Sequence, residues 1–229
     1  MHVHLLQHSP HLGPARIGDW LDSMGHSHTV FHLDQGELPP RPGDVEALIV
    51  LDAPESEAPA AWDRGERKLI ERTLDGRKPL LGIGHGARRI AEALDAPVSR
   101  GTLAETGWQT VTLAEASPFD LPERFEAFTW HREIFALPED ALPLGGTAAS
   151  PLQGFAWDAG RVVGLLCHLE ATAESVTAML DHLPRPEGDA ASPYRQEREA
   201  MLDDSRRFDR LAPLLDRVLT QWARHATMR

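Results

Sequence analysis

The 229-residue sequence predicts an α/β fold, a mostly parallel sheet with helices on both faces plus a small antiparallel section. Three observations carry this expectation. Apolar strand-like runs alternate with amphipathic helix-like stretches over roughly the first hundred residues, the pattern of a parallel sheet. The run Ala47-Leu48-Ile49-Val50-Leu51 is apolar without a break, as a strand covered on both faces requires. From about residue 107 the runs shorten and are separated by turns, which suits antiparallel pairing.

Taken in order, residues 3–6 read as a short buried strand, and Pro14 opens a helix that runs to Leu21, with Gly25 as its stop. Residues 28–33 alternate into a second strand, and residues 38–43 form a proline-rich loop. After the 47–51 strand comes an amphipathic helix over 60–74, with Trp62, Leu69, Ile70 and Leu74 on one face. Residues 79–83 are an apolar strand that leads directly into a helix over 87–94. Shorter strands are expected at 107–113, 125–130, 155–157 and 161–166, the last two joined as a hairpin around Asp158-Ala159-Gly160. Residues 172–183 read as a helix. A loop over 184–193 leads into a charged helical tail over 194–226. No composition break marks a second domain.

Composition narrows the function classes. Hydrophobic residues make up 41% and charged residues 25%, which excludes disorder and a membrane-embedded chain. The 35 acidic residues outnumber the 23 basic ones, and a net charge of −12 repels phosphate backbones, so no nucleic-acid partner is expected. Cys167 is the single cysteine, so no intrachain disulfide forms, in keeping with a reducing compartment. No basic start is followed by a long apolar run, and no stretch approaches the ~18 apolar residues of a spanning helix. A cytoplasmic protein that engages no membrane is the expectation.

The segment richest in chemistry is Leu80-Leu81-Gly82-Ile83-Gly84-His85-Gly86-Ala87-Arg88. A strand runs through a Gly-x-Gly-x-Gly turn into a helix, the form of a nucleophile elbow, in which the central residue is exposed at a sharp turn above the sheet. The helix N-terminus and adjacent backbone N–H groups there can stabilise an oxyanion.

With these residues in view, the chain resembles the class I glutamine amidotransferases, in particular the stand-alone group similar to the amidotransferase domain of GMP synthase. The family elbow G-[IV]-C-x-G-[HAM]-Q aligns with Gly82 to Arg88, and a second family motif, G-x-Q-F-H-P-E, aligns with Gly164-Leu165-Leu166-Cys167-His168-Leu169-Glu170. Between them, Glu105-x-Gly107-Trp108, Trp130-His131, Phe135-x-Leu137-Pro138 and Gln153-x-Phe155 are similar to the subgroup, in the same order. The resemblance implies a flavodoxin-like sheet. It implies an amidotransferase-like domain over residues 1–190, with residues 191–229 a helical extension packed on it. It also implies glutamine hydrolysis: a cysteine thiolate attacks the amide, a histidine moves the proton and a glutamate orients that histidine. His168 and Glu170 match the last two roles. Two apart on a strand, their side chains would share a face.

The nucleophile position is Gly84, which has no side chain to form an acyl-enzyme. Losing one member of such a triad costs ~10⁴–10⁶ in rate. Two further departures agree: the family glutamine is Arg88, and the family oxyanion loop G-G-P-x-S is replaced by Asp52-Ala53-Pro54-Glu55-Ser56, which brings a carboxylate to a place meant for developing negative charge. Leu166-Cys167 also replaces the common Gln-Phe. The expectation is an amidotransferase-like protein without glutaminase activity. It would keep a small-molecule site around Gly84, Arg88, His131, Ala53 and His85, with His168 and Glu170 beside it. Glutamine or a related small carboxylate is the expected ligand, and a homodimer or a synthetase-like partner the expected assembly. Two alternatives remain. One is hydrolysis by a water that His168 and Glu170 activate; the other is an engineered Cys→Gly replacement in a working glutaminase.

Other residues have simpler readings. Cys167 points away from His168 on a strand and is expected to be buried and inert. His85 reads either as a substitute base or as a partly exposed polar residue. Arg88 binds an anionic ligand or closes the pocket through Asp52 or Glu55. The 12 histidines include His2, His4, His8, His11, His26 and His28. No carboxylate or cysteine cluster accompanies them in sequence, so no metal and no cofactor is expected.

Overall fold

The computed structural model describes residues 1–55 and 60–227. Its main sheet has seven strands. β1 (His2–Gln7), β2 (Ser27–His32), β3 (Ala47–Val50), β4 (Leu80–Ile83) and β10 (Val162–Leu165) form a parallel array in the order β2-β1-β3-β4-β10. β9 (Gly154–Trp157) and then β7 (Leu142–Pro143) close one edge antiparallel. The hairpin expected at residues 158–160 joins β9 to β10 through a short 3-10 turn.

The continuous apolar runs are explained by what lies on each face. Along β3, Ala47 and Ile49, with Leu51 beyond, belong to one hydrophobic cluster, while Leu48 and Val50 belong to another. The first cluster is covered by α1 (Arg16–Ser23) and α6 (Arg206–Thr227), through Ile17, Leu21, Leu215 and Trp222. The second is covered by α2 (Asp63–Asp75) and α3 (His85–Ala93), through Leu69, Ile70, Ala87 and Ile90. A strand with period 2 thus feeds two layers at once, and both must be apolar. The indole N–H of Trp20 on α1 donates to Asp216 of α6 at 2.9 Å, tying the tail to the first helix.

The antiparallel section is a three-stranded sheet. β5 (Val98–Leu113) lies between β6 (Arg124–Phe135) and β8 (Gly145–Gly146). β5 begins well before the expected 107, because its first half is polar and carries a register shift between Arg100 and Glu105, which hides the alternation. β9 and β10 belong to the main sheet. α4 (Ala173–His182) starts at a capping box between Thr172 and Ser175, and α5 (Arg198–Leu202) precedes α6, so the tail is two helices. Among the described residues no helix is long and apolar enough to cross a membrane.

Candidate functional site

β4 ends at Ile83, and α3 begins two residues later. Gly84 makes that turn with φ 53° and ψ −110°, a backbone conformation costly for any residue with a Cβ. Gly86 allows the helix to approach the sheet, since a Cβ there would collide with the Val50 carbonyl. The expected elbow is therefore present as a strand–turn–helix corner, and its tip has no side chain.

The tip is occupied from the side. A Cβ built on Gly84 would overlap Oδ1 and Cγ of Asp52. Asp52 follows β3, the strand beside β4, so its carboxylate reaches across to the elbow. Its Oδ1 accepts the backbone N–H of His85 at 2.6 Å. That N–H belongs to the residue after the elbow tip, the donor that an oxyanion uses in elbow enzymes. An anionic carboxylate at the N-terminus of α3 is favoured by the helix dipole. One residue thus fills both the nucleophile's space and the oxyanion's donor.

His168 and Glu170 flank this carboxylate. They lie past the end of β10, in a bend that hydrogen-bonds to Phe128 of β6, so the strand geometry expected for them is absent. They still meet: His168 Nδ1 and Glu170 Oε1 are 2.7 Å apart. His168 Nε2 faces Asp52 Oδ2 at 3.7 Å, an ion-pair distance too long for a hydrogen bond. Burial works against charge on His168. The Glu170 carboxylate, by charge and by hydrogen bond, and the charge of Asp52 outweigh it, so the imidazole titrates above its ordinary value. Cys167 is fully buried, and burial pushes its thiol far up, so it is inert.

A cavity of about 470 Å³ opens beside Asp52, lined among others by Ala53, Glu55, Arg88, Trp130 and Glu133. Arg88 Nε pairs with Glu133 Oε2 at 3.1 Å, where the sequence suggested Asp52 or Glu55. Glu55 instead accepts the backbone N–H groups of Arg132 and Glu133 at 3.1 and 3.4 Å. Ser56, at the end of the altered oxyanion loop, lies outside the described residues. Arg185 enters the cavity wall with its guanidinium 5.4 Å from the Trp130 ring centre. A second, much smaller cavity of about 20 Å³ touches Asp52, His168 and Glu170.

The other two expected ligand residues face elsewhere. His131 is buried in a polar knot with Glu105 and Gln153, and Gln153 also donates to Glu105 at 2.8 Å. Burial, then the charges of Arg88 and His168, push His131 down to about 3. His131 therefore binds fewer protons folded than unfolded, and its contribution to stability is complete above pH 6.5 and lost as pH falls toward 3. Glu105 has the opposite sign, because burial raises it against hydrogen bonds from Thr147 and Gln153. Urea midpoints between pH 6.5 and 5 are expected to fall with pH in the unmodified chain and to fall less steeply in His131→Asn, where the lowered His85, His4 and His26 keep part of the slope. An unchanged slope in the variant would refute this assignment.

The ring of His85 turns to Glu66 on α2, with Nε2 and Oε1 2.9 Å apart. Glu66 is fully buried and also contacts His8 Nε2 and, at 3.4 Å, Arg89 Nε. Burial acts to raise its carboxyl, yet the hydrogen bonds from His8 and His85 hold it far below the ordinary range. The sequence reading missed Glu66, although a signal was present: it stands four residues after Trp62 and four before Ile70, on the apolar face of its helix.

No protein-family model matches the chain. In sequence it is 28% identical over 204 residues to the glutamine amidotransferase-like protein YfeJ of Salmonella typhimurium, covering 83% of this chain and 84% of that one. In structure it superposes on a glutamine amidotransferase from Methylobacillus flagellatus with a TM-score of 0.88 at 24% identity, over 97% of this chain and 94% of the other. A glutamine amidotransferase from Thermotoga maritima gives a TM-score of 0.84 at 24% identity, over 99% and 98%. The homologues and structural neighbours of this chain are glutamine amidotransferase-like proteins, and it shares their fold.

Proposed function

We propose that the chain is a class I glutamine amidotransferase-like protein that binds a small amino-acid-like carboxylate without hydrolysing glutamine. The observation that carries this reading is the Asp52 carboxylate, which stands in the nucleophile's space and takes the His85 N–H. Hydrolysis needs a nucleophile at that point and a free donor for the oxyanion. Neither is supplied by Gly84 with Asp52 in place. The neighbouring cavity has carboxylates (Glu55, Glu133) and guanidinium groups (Arg88, Arg185) in its wall, a mixture that complements a zwitterion such as glutamine. Use of the site by a second copy of the chain or by a synthetase-like partner is compatible with this reading.

The water mechanism has less room. The space beside His168 and Glu170 is about 20 Å³, enough for one water molecule and too small for a substrate amide. An engineered Cys→Gly change alone does not account for Asp52, because a cysteine at 84 would overlap it.

Glutamine titrated calorimetrically into the chain is expected to give saturable heat with no ammonia released. Arg88→Met is expected to weaken that binding at least tenfold, about 1.4 kcal/mol. Absence of binding for both glutamine and glutamate would remove the ligand reading, and ammonia release that disappears in His168→Ala would remove the silent-site reading.

A further inference from the structure

We infer that His8, Glu66 and His85 form a zinc site that clamps the underside of the elbow. The three residues come from separate elements: His8 follows β1, Glu66 lies on α2 and His85 opens α3. Their ligand atoms all lie within 4.8 Å of one another. Two imidazoles and a carboxylate are a donor set that suits zinc, which takes histidine nitrogen at about 2.0–2.1 Å and carboxylate oxygen at about 2.0–2.2 Å.

Two further features point to a cation rather than to a plain hydrogen-bonded trio. The first concerns the hydrogen on His8. Its Nδ1 lies 3.3 Å from the carbonyl oxygen of Asp52, which can only accept, so Nδ1 carries a hydrogen. A ligating histidine is commonly fixed in this way, through its other ring nitrogen. Its other ring nitrogen, Nε2, faces the Glu66 carboxylate.

The second feature is local charge. Arg89 is the guanidinium beside Glu66, and it is shared with Asp63 at 2.7 Å and Glu92 at 2.9 Å. Arg89 is thus divided among three carboxylates, and Glu66, the buried one of the three, keeps only the longest contact with it, at 3.4 Å. The Trp62 ring lies 4.5 Å from the His8 ring and 5.5 Å from the His85 ring and shields both. An ion here would join β1, α2 and α3 at the point where the His85 N–H and the Asp52 carbonyl meet the same loop. The histidine pattern along the sequence conceals this set, because its carboxylate comes from a distant helix.

The inference is independent of the ligand and hydrolysis readings above. To test it, the full chain is stripped with EDTA, dialysed and titrated with zinc chloride by calorimetry, and with cobalt chloride by visible absorption. The expected result is one tight equivalent of zinc and a cobalt spectrum of low coordination number. Glu66→Gln and His85→Asn should each weaken zinc binding by more than about 100-fold, since both remove a direct ligand. His11→Asn with His182→Asn, which removes another close histidine pair, should leave it unchanged. If Glu66→Gln fails to fold, the partly exposed His85 carries the test. No zinc binding tighter than millimolar by the folded chain would overturn the site. So would binding that survives His85→Asn, or that disappears with His11 and His182.

Discussion

A Gly84→Cys variant is expected to lose stability without gaining glutaminase activity, while Asp52→Gly combined with Gly84→Cys produces a reactive thiol. A side chain at 84 must adopt a positive φ, which costs ~1–3 kcal/mol, and its Cβ would enter the Asp52 carboxylate. The single variant must displace a charged group that holds the helix N-terminus through His85. Removing Asp52 clears the space, so the two substitutions are non-additive, with a coupling of ~1–3 kcal/mol in urea unfolding. In the double variant the thiol sits at the start of α3 next to His168, surroundings that lower a cysteine pKa. Iodoacetamide labelling reads this directly, because Cys167 is buried and contributes no background. Equal labelling of the single and double variants would show that Asp52 does not occupy the site in solution.

The second large effect is expected at Glu66. Replacing it with alanine leaves His8 and His85 facing a space without a carboxylate, while Arg89 keeps Asp63 and Glu92. Removing one partner of a buried charged set costs about 3–5 kcal/mol. On the same helix, Glu71 forms an exposed pair with Arg67, and Glu71→Ala is expected to change stability by no more than about 0.5 kcal/mol. Urea unfolding of both variants checks the contrast. Similar midpoints for the two would mean that the buried trio does not hold the elbow.

Much of the architecture is legible in the residues. The unbroken apolar run at 47–51 and the alternation of strands and helices fit the two-sided sheet, because each strand must face two apolar layers. The elbow is legible for a similar reason: its glycines are demanded by close approach and by a positive φ. What lies across the elbow is harder to read. Asp52 is visible as a carboxylate in a loop where the resembling family has glycine, but its reach into the tip depends on β3 and β4 being neighbours. Arg88 meets Glu133, which is far along the chain on a different sheet, so the sequence offered nearer acidic residues instead. Glu66 is hidden by its type, since a glutamate on a surface helix is normally solvated and only its spacing from Trp62 and Ile70 places it inward. β5 is understated because a register shift and a run of polar residues break its alternation.

Under the proposed function, Asp52 stands where a nucleophile would be and silences glutamine hydrolysis. The most direct measurement is ammonia release from glutamine by the unmodified chain, with His168→Ala assayed beside it. No release above background is expected from either protein. Release by the unmodified chain that is lost in His168→Ala would contradict the proposal.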